Sequence, residues 1–313
     1  MSESPYYMDN EAADRVVRFI ETFCTHTKGD KAGAPFILEQ WQKDDILRPL
    51  FGMKRKADGL RRYRTCYVEI PRKNGKSTLA AAVALYLLFA DGEKGSEIVS
   101  AAGDRGQARI IYEIAADMIR NAPELAKRCR ILQSRIKYGT SFYQSISAEA
   151  STKHGYNCAA VIFDELHTQP NSELWDVLNT SVLSRSQPVV LALTTAGDRV
   201  DSIAHEVHTY ARKVKSGEIE DDTFLPVIYA AEPDERWDDP KVWAKANPGL
   251  GVSCAPSYFE NYVKRIEAQP SQLYTFQRLH LNIWTNSQEA AWIQDHDVMR
   301  GSEDMPSEAE LER

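Results

Sequence analysis

The feature that most constrains this chain is a phosphate-binding turn that follows an apolar strand. Residues 65–70 form the apolar run, and residues 71–78 then read Pro-Arg-Lys-Asn-Gly-Lys-Ser-Thr. Backbone N–H groups in such a turn, and at the start of the next helix, attract phosphate oxygens. Lys76 adds a cation, and Ser77 offers a hydroxyl ligand for Mg²⁺. The pattern predicts a nucleoside triphosphatase.

The match covers only the second half of the usual motif. That motif has another glycine five positions before Gly75, where this chain has Ile70. The structural alternative is a turn that is capped by Gly75 and leads into a buried helix. The turn by itself therefore leaves both interpretations open.

A second segment supports the nucleotide interpretation. Residues 159–163 are continuously apolar, as in a buried parallel strand, and Asp164 and Glu165 follow directly. Ligands of open α/β sheets bind at the carboxyl ends of strands. Asp164 is therefore predicted to hold Mg²⁺, and Glu165 is predicted to activate the water that attacks the γ-phosphate. The alternative for such a pair is a solvated turn or helix cap.

Composition narrows the possible classes of protein. The sequence has no long apolar stretch and no secretory signal, so we expect a cytoplasmic protein without a membrane contact. Five scattered cysteines without a C-x-x-C pair argue against a disulfide framework and a zinc site. A net charge of −7 means that any contact with nucleic acid has to be local.

Strand and helix patterns alternate along residues 65–194, which predicts an α/β fold with a mostly parallel, doubly wound sheet. An extra strand and a glutamate next to Asp164 indicate the RecA-like, additional-strand (ASCE) branch of P-loop NTPases. We expect residues 1–231 to form the ATPase domain. Residues 232–290 are predicted to form a small, mainly helical linker or lid subdomain, and residues 291–313 a linker towards a further domain.

Several motifs in this order resemble the large terminase subunit of tailed bacteriophages, the motor that packages viral DNA. The closest resemblance is to the branch found in phages with HK97-type capsids. The motifs are Leu38-Glu39-Gln40-Trp41-Gln42, Arg72-Lys73-Asn74-Gly75-Lys76-Ser77, the strand ending in Asp164-Glu165, Leu193-Thr194-Thr195-Ala196, Ala246-Asn247-Pro248-Gly249-Leu250-Gly251 and Leu281-Asn282-Ile283-Trp284.

The resemblance implies roles for further residues. Arg72 would sense the γ-phosphate, Gln42 would read adenine, and Thr194 with Thr195 would couple hydrolysis to movement. Each also has an ordinary interpretation, as a solvated turn residue, a surface glutamine or strand residues. With ATP and Mg²⁺ as cofactors, the implied ATP-binding set is Gln42, Arg72, Lys73, Asn74, Gly75, Lys76, Ser77 and Thr78, with Glu165, Lys76 and Arg72 in catalysis.

The resemblance also implies partners: double-stranded DNA, a portal protein, a small terminase subunit and a homo-oligomeric ring, expected to be a pentamer, in the host cytoplasm. Because no strand-borne acidic pair follows Trp284, we expect the chain to stop before the nuclease domain and not to cut DNA. Two alternatives stay open. One is a helicase-like translocase, which would need a second nucleotide-facing domain, and the other is a non-catalytic docking module.

Overall fold

The structure is a computed structural model that describes residues 4–148 and 155–285. The α-helices are α1 Asn10–Phe23, α2 Arg48–Gly52, α3 Lys76–Phe89, α4 Arg105–Asn121, α5 Pro123–Ala126, α6 Glu173–Ser181, α7 Ile203–Ser216, α8 Pro240–Ala246, α9 Pro256–Ala268 and α10 Leu273–His280. The strands are β1 Tyr6–Met8, β2 Met53–Arg55, β3 Thr65–Glu69, β4 Glu97–Ala102, β5 Arg130–Ile131, β6 Arg135–Tyr138, β7 Ser141–Ser147, β8 Ala160–Phe163, β9 Val189–Thr194 and β10 Phe224–Ile228.

One large sheet organises the molecule. Its strand order is β10-β3-β9-β8-β4-β7-β6-β5. The pairs from β10 to β7 are parallel, and β6 pairs antiparallel with both β7 and β5. The predicted mostly parallel α/β fold is confirmed. Strand β9 lies between β3 and β8, so it separates the strand before the phosphate turn from the strand before the acidic pair.

Apolar clusters cover both faces of the sheet, because successive strand residues point to opposite sides. Val68 and Ile162 belong to the cluster that includes helices α1 to α4. Tyr67 and Val161 belong to the cluster on the other face, with helices α6 and α7. The sheet is therefore doubly wound, as the alternation of elements predicts.

Helix α3 is the centre of the first cluster. It is apolar on all sides, and every residue from Leu79 to Leu88 is buried. A helix of this composition is stable only inside a core. Its N-terminus, at Lys76, therefore has a fixed place at the edge of the sheet.

The chain after β10 packs as a separate set of helices, here termed the helical unit (residues 232–285). Its own apolar cluster brings together Trp243, Phe259 and Phe276 from α8, α9 and α10. The predicted boundaries at 231 and 232 stay a prediction. Positions 286–290 and the predicted linker 291–313 lie outside the described residues. No helix among the described residues is long and apolar enough to cross a membrane.

The two edges of the sheet have unusual strands. Strand β10 contains Pro226 and, among the described strands, pairs only with β3. Proline lacks an N–H donor, so it is tolerated on an edge strand. Strand β10 was not predicted from the sequence. At the other edge, β5 is only Arg130–Ile131.

Candidate active site

Three neighbouring strands, β3, β9 and β8, end at the same edge of the sheet. The phosphate loop (residues 70–75) follows β3, and Thr194 ends β9. Asp164 and Glu165 follow β8. The structure therefore brings the predicted phosphate, coupling and acidic residues to the edge where open α/β sheets bind ligands.

The phosphate loop turns sharply before α3 begins. Gly75 has a φ of +79°, which glycine adopts without steric cost. Lys73 also has a positive φ, +72°, which strains a residue that carries a Cβ atom. Strain of this kind persists where the surrounding structure holds it, and it is enriched at functional sites.

The ammonium group of Lys76 is buried and fully engaged. Its Nζ donates to the carbonyl oxygens of Ile70 at 3.0 Å and Pro71 at 3.2 Å, and to Thr195 Oγ1 at 2.6 Å. Burial lowers the pKa of Lys76, while the carboxylates of Glu165 and Asp164 act in the opposite direction. The cation is thus held at the loop where phosphates would bind.

Ser77 and Asp164 join the phosphate loop to the acidic strand. Ser77 Oγ donates to Asp164 Oδ2 at 3.1 Å, whereas Asp164 Oδ1 is buried without a hydrogen-bond partner among the described residues. Burial raises the pKa of Asp164 to about 6, and the charge of Glu165 adds to the shift. A hydroxyl beside a carboxylate with an unpaired oxygen is a donor set that fits Mg²⁺.

Glu165 lies in a strained position next to Asp164. Its φ is +48°, in the left-handed region. Its Oε2 is 3.3 Å from His167 Nδ1, within ion-pair distance. The contact does not meet hydrogen-bond geometry, and this buried oxygen has no hydrogen bond among the described residues. The carboxylate therefore keeps capacity for a water molecule.

Thr194 and Thr195 contact the two halves of the site separately. Thr195 Oγ1 accepts from Lys76 and donates to the Ile70 carbonyl at 3.2 Å. Thr194 Oγ1 accepts from the backbone N–H of His167 at 3.1 Å. Two successive residues at the end of β9 therefore contact the phosphate loop on one side and the acidic segment on the other.

Asn74 was predicted to bind the nucleotide, but its side chain contacts the helical unit instead. It is fully buried, and its Nδ2 donates to Asn247 Oδ1 at 3.0 Å, while its Oδ1 accepts from the backbone N–H of Gly249 at 3.1 Å. A Cβ atom on Gly249 would lie 3.0 Å from Asn74 Oδ1 and closer still to Ser253. Asn74 thus ties the phosphate loop to the helical unit.

The remaining predicted ligands surround the loop. Gln42 is buried, accepts from the backbone N–H of Glu39 at 3.0 Å, and lies against Gly75. Arg72 and Lys73 are exposed and line a cavity of about 260 Å³ that α9 also borders. Thr78 is half-buried in the first turn of α3. The exposed charges of Arg72 and Lys73 lie next to the helical unit.

A second asparagine of the helical unit reaches the end of β9. Asn282, with a φ of +60°, accepts from the backbone N–H of Ala196 at 2.7 Å and donates to the Tyr229 carbonyl at 2.8 Å. Trp284 donates from its ring nitrogen to buried Glu69 at 3.2 Å. The roles of Asn247 and Asn282 were missed in the sequence, although both lie in motifs that carry the family resemblance.

The topology and the site together define a class, the additional-strand P-loop ATPases. A family model described as "Terminase large subunit, ATPase domain" matches residues 40–213, more than half of the chain. The chain belongs to this family.

Individual relatives agree with the family. The chain is 28% identical over 277 residues to the large terminase subunit of Enterobacteria phage HK97, covering 86% of this chain and 52% of that protein. It is 24% identical over 196 residues to the terminase large subunit of Lactococcus phage p2, covering 59% and 35%. The crystal structure of the HK97 large terminase matches with a TM-score of 0.75 at 25% identity, covering 87% of this chain and 55% of that one. The chain spans about half the length of the HK97 relative, and the predicted HK97-type resemblance is confirmed.

The expectation that the chain stops before the nuclease domain is wrong. A family model described as "Terminase large subunit, endonuclease domain" matches residues 218–308. The expectation was based on strand-borne acidic pairs, whereas this match begins just before β10 and continues through the helical unit. Within the described residues, no group of three or more His, Cys, Asp or Glu could hold a metal ion.

Proposed function

We propose that this chain hydrolyses ATP and that, in the full-length protein, hydrolysis drives double-stranded DNA through a portal into a procapsid. The observation that carries the hydrolysis is the 3.1 Å contact between Ser77 and Asp164, next to buried Lys76. It joins the phosphate loop to the acidic strand, so one bound nucleotide would contact both. The family match supports the packaging role.

Different residues of the site have different roles in the proposed reaction. Lys76 exchanges its carbonyl partners in the loop for β- and γ-phosphate oxygens, where it offsets negative charge. Ser77 and Asp164 would hold Mg²⁺, which would neutralise charge on the phosphates. Glu165 accepts a proton from the water that attacks the γ-phosphorus. The bond to the bridging oxygen breaks, and ADP and inorganic phosphate leave.

The other predicted roles complete the proposal. Gln42 contacts adenine, and Arg72 senses the γ-phosphate. Lys73, Gly75 and Thr78 line the phosphates together with the backbone of Asn74, whose side chain is engaged with the helical unit. Thr194 and Thr195 couple hydrolysis to movement, because they contact both halves of the site.

The proposed partners are double-stranded DNA, a portal protein and a small terminase subunit, with a homo-oligomeric ring, a pentamer, assembled on the portal in the host cytoplasm. The family match supports these partners. Packaging needs a grip that does not depend on sequence, and contacts to DNA phosphates supply one. Since the whole chain carries a charge of −7, such contacts have to be local.

The test is phosphate release by wild type and Glu165→Gln, with Glu173→Gln as the matched control because Glu173 is exposed on α6. We expect Glu165→Gln to hydrolyse ATP about 100-fold or more slowly, as for loss of a general base, while it still binds a fluorescent ATP analogue. Glu173→Gln should keep the wild-type rate. Equal rates in all three proteins would reject the site.

Packaging is tested with full-length protein, procapsids and portal. We expect Glu165→Gln to abolish the protection of DNA from an added nuclease. Unimpaired packaging by this variant would reject the motor and favour a docking role.

A further inference from the structure

His167 has no part in the function proposed above, yet it lies between Glu165 and Thr194. Its Nδ1 is 3.2 Å from Thr194 Oγ1 and 3.3 Å from Glu165 Oε2. Its side chain is only 8% exposed. On one side, the backbone of Gly197 approaches His167 closely because Gly197 has no side chain. A Cβ atom at Gly197 would lie 3.4 Å from the His167 Cβ. The ring is therefore confined among catalytic-site residues.

The hydrogen bonds around Thr194 assign the tautomer of this ring. The Thr194 hydroxyl donates its one hydrogen to the Thr195 carbonyl at 3.0 Å, and its oxygen accepts from the His167 backbone N–H. Nδ1 thus faces two acceptors, a hydroxyl lone pair and a carboxylate oxygen. The tautomer with the proton on Nδ1 satisfies both acceptors, and burial lowers the pKa of His167, which favours the neutral ring.

Glu165 needs an external group to fix its orientation. A general base works only when its oxygen lies within hydrogen-bond reach of the attacking water. Glu165 Oε2 has no hydrogen bond among the described residues, and its backbone is in the left-handed region. The Nδ1–H of His167 is the donor within 3.3 Å that can hold the carboxylate.

We propose that His167 is a positioning residue, which orients the Glu165 carboxylate and links it to Thr194. The inference rests on the proposed function, because it takes Glu165 as the base. The 3.3 Å between Nδ1 and Oε2 is already within reach of a hydrogen bond, so only the angle between the two groups has to change. The free oxygen of Glu165 then faces the water.

The same arrangement connects the base to the cation. Thr194 contacts His167, and the next residue, Thr195, contacts Lys76 at 2.6 Å. A displacement of Lys76 by phosphates is therefore transmitted through Thr195 and then Thr194, the last residue of β9, to the ring that holds Glu165. His167 makes alignment of the base depend on an occupied phosphate loop.

The test compares His167→Ala, His167→Asn and Thr194→Val, singly and with His167→Ala/Thr194→Val combined. We expect His167→Ala to lower kcat about 10- to 100-fold, because misplacing a catalytic group by about 1 Å costs this much. Affinity for a fluorescent ATP analogue should change less than about 2-fold. His167→Asn, whose amide nitrogen replaces Nδ1, should recover most of kcat. The double variant should lose no more than His167→Ala, because both changes break one linkage.

Three outcomes would overturn the proposal: kcat of His167→Ala within about 2-fold of wild type, equal loss in His167→Asn and His167→Ala, or additive losses in the double variant. Thermal unfolding of each protein separates misfolding from misalignment. If His167→Ala does not fold, His167→Asn and Thr194→Val still decide. Thr180→Val is the matched control, because the Thr180 hydroxyl bonds only within its own helix. An active Glu165→Gln would reject the proposed function itself, which the His167 variants do not test.

Discussion

The two halves of the site differ in how far the protein itself satisfies their polar groups. In the basic half, Lys76 has three hydrogen-bond partners, two of them carbonyls of its own loop. In the acidic half, Asp164 Oδ1 and Glu165 Oε2 are buried without hydrogen bonds among the described residues. Buried polar groups are normally paired, so the unpaired oxygen of Asp164 marks a place for a metal ion, and that of Glu165 a place for a donor such as the Nδ1–H group of His167.

The basic half is already hydrogen-bonded within the protein, whereas the acidic half has carboxylate oxygens without hydrogen-bond partners among the described residues. In the proposed function, a nucleotide would have to displace existing contacts to reach Lys76, so its binding energy would change the loop. The acids would give up no strong partner to a metal ion and a water molecule. Binding should therefore move the basic half, and chemistry should depend on the acidic half.

Removing the lysine should have the largest effect on this contrast. We expect Lys76→Ala to lower kcat/KM for ATP by at least about 100-fold, because it loses a cation aimed at charge that develops during the reaction. Phosphate release over a range of ATP concentrations measures it. Lys127→Ala is the control, since the Lys127 side chain is 72% exposed. Similar rates for the two variants would show that the basic half is not where phosphates bind.

Neutralising Asp164 should separate function from stability. We expect Asp164→Asn to need at least about 10-fold more Mg²⁺ for hydrolysis, because it loses a charged ligand.

Burial raises the pKa of Asp164 from its ordinary 3.8 to about 6, so the folded protein binds the proton more tightly. Stability from this group is fully present below pH 3.8 and is lost as pH rises through 6, a cost of about 3 kcal/mol at neutral pH.

Without Mg²⁺, Asp164→Asn should therefore unfold at higher denaturant concentration than wild type at pH 8, and the two should converge near pH 4. Chemical unfolding at several pH values measures the difference. Asp176→Asn, at an exposed position of α6, should follow wild type throughout. A gap that is independent of pH would contradict the assignment of an unpaired, desolvated carboxylate.

The smallest effect concerns the contact between the basic half and the helical unit. We expect Asn247→Ala to cost about 1–3 kcal/mol of stability, because it leaves buried groups of Asn74 and of the helical unit without partners. It should also weaken ATP binding a few-fold. Thermal unfolding and nucleotide titration measure both. Asn261→Ala, on the exposed side of α9, is the control. If the two variants behave alike, the conformation of the phosphate loop does not depend on its contact with the helical unit.

Local patterns explain why so much of the sheet and of the site was predictable. The phosphate loop and the acidic pair each follow a buried strand directly, so strand and side chains lie within ten residues of one another. Partners distant in sequence were not predictable. Asn74 and Asn247 are 173 positions apart, and Ala196 and Asn282 are 86 apart. No local pattern states which buried amide a given asparagine will meet.

Competing signals explain the other differences. Pro226 opposes strand formation in most sheets, and only the edge position of β10 makes it harmless. Asn74 lies inside a motif whose residue types suggest phosphate contact, whereas its amide is used for packing. His167 follows a strand, where a histidine is usually an ordinary polar contact, so the sequence alone gives it no role.

The blunt margins of the sheet bear on how copies of this protein assemble. Proteins avoid uncontrolled strand addition by placing proline or very short strands at open borders. Pro226 on one border and a two-residue strand on the other both follow this rule. In the proposed ring, subunits would recognise one another through side chains on their flanks, and neighbouring copies would stay free to shift relative to each other without breaking a continuous β-ladder.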